Sequence, residues 1–404
     1  MEHVKKRQAL SEIPIHYKQT LLFAGIVIVA ANLRPALTSV GPLIPLIQGD
    51  IGLSQLAAGS LTTLSLLTFA FISPLVPNIA GRNGQQYTLL IGLGVLFTGI
   101  VIRYFPHVTF LLTGSLFIGA GIAILNVMLP GIIKESFPYK IGRMTSIYTT
   151  SMVLTASLGS GISIPLAQGA SWGWQMALFI WVIPVILAAY CWFLIAGHQE
   201  ARLNRQTKTV NKGSCVYRSP LAWQVTMFMG LQSIGYYVTI TWLPEILNQL
   251  GNLSLSYAGW MVGLMQAASL PAAFAVPIMA GKFRNQRGII LIIGAIAVSG
   301  LILLLLSSSK WFLIVAVVLI GLGQGGSISL SLALLSMRAS TSQQAANLSG
   351  MAQFVGYFFA AIGPFLGGVL YDVTGGWLLT ICMLVVVSLA QVAVGMGAGR
   401  DQRV

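Results

Sequence analysis
Long apolar runs alternate with short polar breaks along almost the whole chain. A helix that crosses a bilayer needs about 20 mostly apolar residues. Twelve stretches meet that need: 18–47, 56–79, 86–104, 109–133, 141–167, 173–197, 220–248, 256–280, 287–308, 311–336, 343–370 and 376–398. The breaks are brief except for the polar segment 198–219, which begins HQEARLNRQTKT and divides the spans six and six. The pattern predicts an all-α membrane protein with twelve transmembrane helices in two six-helix bundles. Its parts are an N-terminal segment 1–17, a first bundle 18–197, a linker 198–219, a second bundle 220–398 and a tail 399–404.

The two bundles repeat each other at a shift of about 200 residues. LSQLAAG (53–59) matches LSLSYAG (253–259), and LLIGLG (89–94) sits over ILIIGA (290–295). FIGAG (117–121) sits over LIGLG (319–323), and Gly173–Trp174 over Gly376–Trp377. Four matches in one order at a near-constant shift predict a duplication. Six spans is an even number, so both halves keep the same membrane orientation.

Composition agrees with the pattern. Of 404 residues, 56% are hydrophobic and 7% charged, against about 25% charged in a soluble domain. The net charge of +14 would suit a nucleic-acid partner, but its distribution gives another explanation. With the N-terminus inside, 19 of the 22 Lys and Arg fall in cytoplasmic segments, Arg103 and Lys310 fall outside, and Arg34 alone lies within a span. This bias follows the positive-inside rule. It predicts both termini in the cytoplasm of a cell (inner) membrane protein, with no nucleic-acid partner. The first apolar stretch runs past Arg34 to Ile47, longer than a secretory leader, so it is read as an uncleaved span.

Cys191, Cys215 and Cys382 stand at unrelated spacings and imply no disulfide framework. Neither a P-loop nor a metal-ligand or catalytic constellation stands out, so no enzyme activity, metal or cofactor is expected. GLGQGG (321–326) fits a dinucleotide fingerprint but lies inside an apolar span and reads as small residues that allow close packing. NLS at 252–254 and 347–349 fits a glycosylation acceptor without any sign of a secretory context.

The stretch ANLRPALTSVGPLIP (31–45) carries the main chemical signal. Arg34 sits about a dozen residues into the first span, where a charge costs at least roughly 2.5–3.5 kcal/mol. The eight acids all fall at or beyond span ends, so none is expected to pair with it. A guanidinium can give two parallel hydrogen bonds to a carboxylate-, nitro- or cyanate-like group. Arg34 is therefore the candidate binding charge, with Thr38 one helical turn away. A bend is expected between Pro35 and Pro42. Polar side chains near mid-span form a second tier: Asn126, Gln232, Gln266, Gln324 and Gln353, with Tyr148, Tyr236, Tyr237 and Tyr357. Each faces either a cavity or a neighbouring helix as hydrogen-bonding glue. Trp242 is read as an interfacial aromatic. Glu135 and Arg143 flank the turn KESFPYKIGR and are candidate gating charges, or solvated loop charges.

NLRPALTSVGPLIP, SPLAWQVTMF (219–228), YYVTITWLPEIL (236–247), NQRG (285–288) and LSGMAQFVGY (348–357) resemble the cyanate/nitroimidazole transporter family of the major facilitator superfamily. The likeness runs through the whole chain and is nearest to nitroimidazole-type members. It implies paired six-helix halves with the substrate site between them at mid-membrane. The superfamily's G-x-x-x-D-R-x-G loop motif stands here as Gly81-Arg82-Asn83-Gly84, with Gly81 where the acid should be. Arg82 joins the gating candidates. GPFLGG (363–368) resembles a drug-antiporter motif but lies in the eleventh span instead of the fifth.

The expected function is secondary active or facilitative transport of a small anionic or polar aromatic solute by alternating access. The expected partners are that solute and the bilayer, and the chain is expected to act as a monomer. The alternatives are a membrane sensor that keeps a transporter fold and a multidrug exporter. No buried carboxylate or histidine suggests proton coupling.

Overall fold
The computed structural model describes residues 15–52, 55–169, 172–203, 216–251, 253–306 and 309–404. The expected segment 1–17 lies almost wholly outside the described residues, as does 204–215 of the expected linker. Among the described residues the regular structure is helical throughout.

The first span is three pieces, α1 (Ile15–Ala31), α2 (Pro35–Thr38) and α3 (Val40–Ile51). The second is α4 (Gln55–Ile72) and α5 (Val76–Asn83), which meet at a 55° bend. Then follow α6 (Gln85–Arg103), α7 (Val108–Ser136) and α8 (Ile141–Ile164), whose end passes into a π-helical turn at Pro165–Gly169. The sixth span is α9 (Gly173–Phe179) and α10 (Val182–Leu203). The second half is made of uninterrupted helices: α11 (Pro220–Gly251), α12 (Leu255–Lys282), α13 (Arg287–Leu306), α14 (Lys310–Met337), α15 (Ser342–Thr374) and α16 (Leu378–Ala398).

Ten of these spans are long and apolar enough to cross a membrane outright, and the bent α4–α5 pair makes eleven. The twelfth, α11, has 32 residues, and its apolar character is diluted by Gln224, Gln232, Ser233, Tyr236, Tyr237 and Thr239. Those polar groups are tolerated because α11 packs against other helices and lines a cavity, where they need not meet lipid.

The duplication seen in the sequence is present in the packing. The pairs α4–α7, α6–α7, α6–α10 and α1–α10 in the first half recur as α12–α14, α13–α14, α13–α16 and α11–α16 in the second. The match extends to single residues. A Cβ at Gly119 would collide with the Ser65 carbonyl, and one at Gly321 with the Met265 carbonyl. Glycine lets these helix backbones touch, which confirms GLGQGG as a packing motif.

The halves meet mainly through α8 with α12 and through α7 and α4 with α15. Their cross-links lie towards the end rich in Lys and Arg. Ser146 Oγ donates to the Phe274 carbonyl at 2.5 Å and Thr149 Oγ1 to the Ala273 carbonyl at 3.3 Å. Ser336 Oγ donates to the Pro130 carbonyl at 3.0 Å, and Gln343 Nε2 to the Pro77 carbonyl at 3.2 Å. Prolines bear on three of the four acceptors, the Pro130 and Pro77 carbonyls and that of Ala273. Pro277 has no N–H for Ala273, so that carbonyl is free for Thr149. The loop motif lacks its acid at Gly81, and this neutral seam of carbonyls, hydroxyls and glutamine closes that end.

One expectation about charge is corrected. Arg103, assigned to an external segment, is the last residue of α6 and is only 2% exposed. Its Nη1 donates to the Ala36 carbonyl at 2.7 Å and its Nη2 to Ser115 Oγ at 2.8 Å. The side chain curls back into the first bundle because α2 offers an acceptor there.

Candidate functional site
The site begins at the interruption of the first span. The chain leaves helical geometry at Asn32–Arg34, since a residue before proline is driven from the α region and Pro35 opens α2. A second break falls at Ser39. The expected bend between Pro35 and Pro42 is thus preceded by an interruption of the helix at Asn32–Arg34. Polar side chains hold the broken strand of chain in place. Asn32 Nδ2 donates to the Ile28 carbonyl at 2.8 Å and, across to the sixth span, to that of Pro184 at 3.0 Å. Thr38 Oγ1 donates to the Ala156 carbonyl of α8 at 2.9 Å, and Ser160 Oγ returns a bond to the Thr38 carbonyl at 3.1 Å. Arg103 clamps Ala36 from the third side.

This staple aims Arg34 at the other half. Its guanidinium carbon lies 5.7 Å from the centre of the Tyr236 ring, within cation–π range. The ionisable side chains that share its surroundings are Tyr236, Tyr237 and Tyr357. No carboxylate is among them. The acids whose side chains are described, Asp50, Glu135, Glu245, Asp372 and Asp401, are all exposed at helix ends or in the tail. Asp50 is held by Trp174 Nε1 at 2.8 Å.

Around Arg34 is a pocket with walls from both halves, whose empty space of about 650 Å³ includes the solvent it opens to. Seven of the eleven candidate residues line it: Arg34, Gln232, Tyr236, Tyr237, Gln266, Gln324 and Tyr357. The tyrosines form a connected aromatic wall. Tyr236 meets Tyr237 edge-on at 5.2 Å, Tyr237 meets Tyr357 at 6.4 Å, and Tyr357 stacks on Phe69 of the opposite half at 3.7 Å. Tyr236 OH donates to Gln266 Oε1 at 3.2 Å.

The other four predicted residues lie outside the lining. Thr38 is turned to α8. Asn126 and Gln353 meet across the halves at 3.4 Å. Tyr148 is buried with an unpartnered hydroxyl. Glu135, Arg143 and Arg82 are exposed and are not brought together with the cavity. Residues that the sequence reading missed include Met152, Met229 and Met265 in the lining and Arg103 behind the break. Methionines among apolar residues give no signal that separates a cavity wall from a lipid face.

The sequence matches the Major Facilitator Superfamily over residues 26–361 and 230–398. It is 44% identical over 381 residues to the uncharacterized transporter YycB of Bacillus subtilis (strain 168), covering 94% of each chain. It is 39% identical over 388 residues to the 2-nitroimidazole transporter of Escherichia coli (strain K12), covering 95% of this chain and 96% of that one. The cyanate transport protein CynX of Escherichia coli (strain K12) is 27% identical over 358 residues, with 88% and 91% covered. The fold is similar to that of the solved proton:xylose symporter XylE, with a TM-score of 0.74 over 96% of both chains at 15% identity.

Proposed function
The chain belongs to the major facilitator superfamily, and from that membership we propose that this membrane transporter carries a small planar polar solute bearing an anionic or strongly accepting group. A nitroimidazole is the first candidate and cyanate the second, in line with what the similar transporters carry. One observation carries the reading: Arg34 stands at a stapled break in the first span, faces three tyrosines and has no carboxylate beside it among the described residues. A charge within the membrane that lacks an acidic partner is best satisfied by a ligand. The tyrosine wall suits a flat ring, since aromatic faces stack with offset geometry.

In this proposal Arg34 and Tyr236 bind from opposite halves, so the cargo itself bridges the two bodies that rock during alternating access. Gln232, Gln266, Gln324 and Tyr357 complete the contact. Thr38, Asn126, Tyr148 and Gln353 act at one remove, through helix positions. The neutral seam of Gln343, Ser336, Ser146 and Thr149 closes one end, and Arg82, Glu135 and Arg143 modulate it from the rim. We place the Lys- and Arg-rich end in the cytoplasm of an inner membrane, both termini with it, and the transporter working as a monomer. The structure then corresponds to a state closed towards the cytoplasm. Proteoliposomes holding the purified protein test this. Uptake of labelled 2-nitroimidazole that is abolished in Arg34→Met is the expected result. Equal uptake by the variant overturns the assignment.

A further inference from the structure
Gln232 and Gln324 belong to the part of the cavity wall contributed by the second half, and both hold a carbonyl oxygen that has no hydrogen-bond partner. Gln232 is only 3% exposed. For Gln324 the direction of the amide is fixed. Its Nε2 donates to the Gly235 carbonyl at 3.2 Å and to Thr239 Oγ1 at 3.1 Å. A flipped amide would set oxygen against the Gly235 carbonyl oxygen, so the nitrogen side is committed to α11 and Oε1 is left over. An acceptor buried without a donor costs about 1–3 kcal/mol, and such an atom in a native structure calls for an explanation. Two of them in one cavity wall call for a shared one.

The opposite wall has the reverse character. Arg34 is a donor only and accepts nothing. A solute between the walls therefore meets the Arg34 donor on the first half and, beside the tyrosine hydroxyls, two unpaired amide oxygens on the second. We propose that the transporter selects solutes that carry a hydrogen-bond acceptor on one edge and an N–H donor on another, the donor being read by Gln232 Oε1 and Gln324 Oε1. This rests on the reading of the cavity as the substrate site and adds a requirement which that reading does not contain. A solute with only an accepting group satisfies Arg34 and leaves both glutamine oxygens unpaired. A site built to hydrogen-bond an N–H discriminates strongly against an analogue that lacks it.

A second, smaller cavity of about 330 Å³ lies behind the two glutamines, among Thr239, Ser327, Ser388 and Gln391. Gln232 and Gln324 form the partition between the two spaces. If the leftover oxygens serve the rear chamber instead, the solute's N–H is irrelevant to them, and the two assignments predict different ligand series.

The experiment is calorimetric binding to the purified full chain with three probes. These are 2-nitroimidazole, 1-methyl-2-nitroimidazole, which loses the N–H, and 2-nitrofuran, which lacks it without the added methyl group. The expected result is at least about tenfold weaker binding of both analogues, with the ratio falling towards one in Gln324→Leu or Gln232→Leu. The comparison of probes on the unmutated protein stands even if a variant fails to fold. Equal affinity for all three, with binding still dependent on Arg34, overturns the donor requirement and leaves the proposed function standing. A ratio that is unchanged in both leucine variants assigns the oxygens to the rear chamber and overturns the inference. Binding of none of the three overturns the nitroimidazole reading and this inference with it.

Discussion
Gly119 meets the Ser65 carbonyl in the first half as Gly321 meets the Met265 carbonyl in the second, and Gly121 and Gly323 repeat the arrangement against α6 and α13. The cavity walls do not repeat. At the depth where the first half breaks its helix and holds out Arg34, the second half runs α11 straight through and presents Gln232, Tyr236 and Tyr237. Behind the wall, the first half fills its interior with Arg103, whereas the second keeps a polar chamber. Close backbone packing is shared because both halves need the same scaffold. The chemistry differs because one solute touches both walls at once, and identical walls would offer it the same group twice.

Substitutions at the shared positions should have the largest effect. Gly119→Val and Gly321→Val each drive a side chain into a neighbouring backbone carbonyl. Each is expected to cost about 3 kcal/mol or more and to remove most monodisperse protein from size-exclusion chromatography. Unequal outcomes would show that the halves are less alike than the packing indicates. Next comes Arg103→Met, which leaves the Ala36 carbonyl and Ser115 without their donor. A loss of about 1–3 kcal/mol is expected, read as a lower melting temperature. Arg103 also holds the break that aims Arg34. Ligand affinity should therefore fall with Arg103→Met in the unmutated background and not fall further in Arg34→Met.

Tyr236→Leu sharpens the contrast between the walls. It removes the ring beneath Arg34, a contact that exists without the solute, so a stability loss of about 0.5–2 kcal/mol is expected, with weaker binding where the ring faces the solute. The smallest effect is expected at the rim. Glu135→Gln and Arg143→Gln alter exposed charges, which are usually worth less than about 0.5 kcal/mol. Transport should stay within about threefold of the parent, since the seam at that end is built from neutral groups. A much larger loss with intact binding would make those charges part of the gate.

Much of this was legible in the chain. Span lengths and the shift of about 200 residues announced two six-helix halves, because lipid enforces apolar length and duplication preserves glycine positions. Arg34 was legible because a charge in an apolar run must be explained. Gln232, Tyr236, Gln266, Gln324 and Tyr357 were legible for the same reason, though weaker in each case. What the chain could not reveal was direction. Thr38, Asn126 and Gln353 are as polar as the lining residues, yet their hydrogen bonds go to neighbouring helices. Arg103 follows a span and precedes a polar turn, which is how a solvated charge also looks. Only the proximity of the Ala36 carbonyl, 67 residues away in sequence, turns it inward.

The central claim is that the missing partner of Arg34 is the solute. Calorimetric titration of 2-nitroimidazole into the parent protein and into Arg34→Met and Arg34→Lys tests it most directly, with thermal unfolding run alongside to confirm folding. Arg34→Met is expected to abolish binding while leaving the melting temperature unchanged or raised, because a membrane-embedded charge without an acidic partner has been removed. Arg34→Lys is expected to bind weakly, since an ammonium cannot give two parallel hydrogen bonds. Undiminished affinity in a folded Arg34→Met protein would contradict the claim.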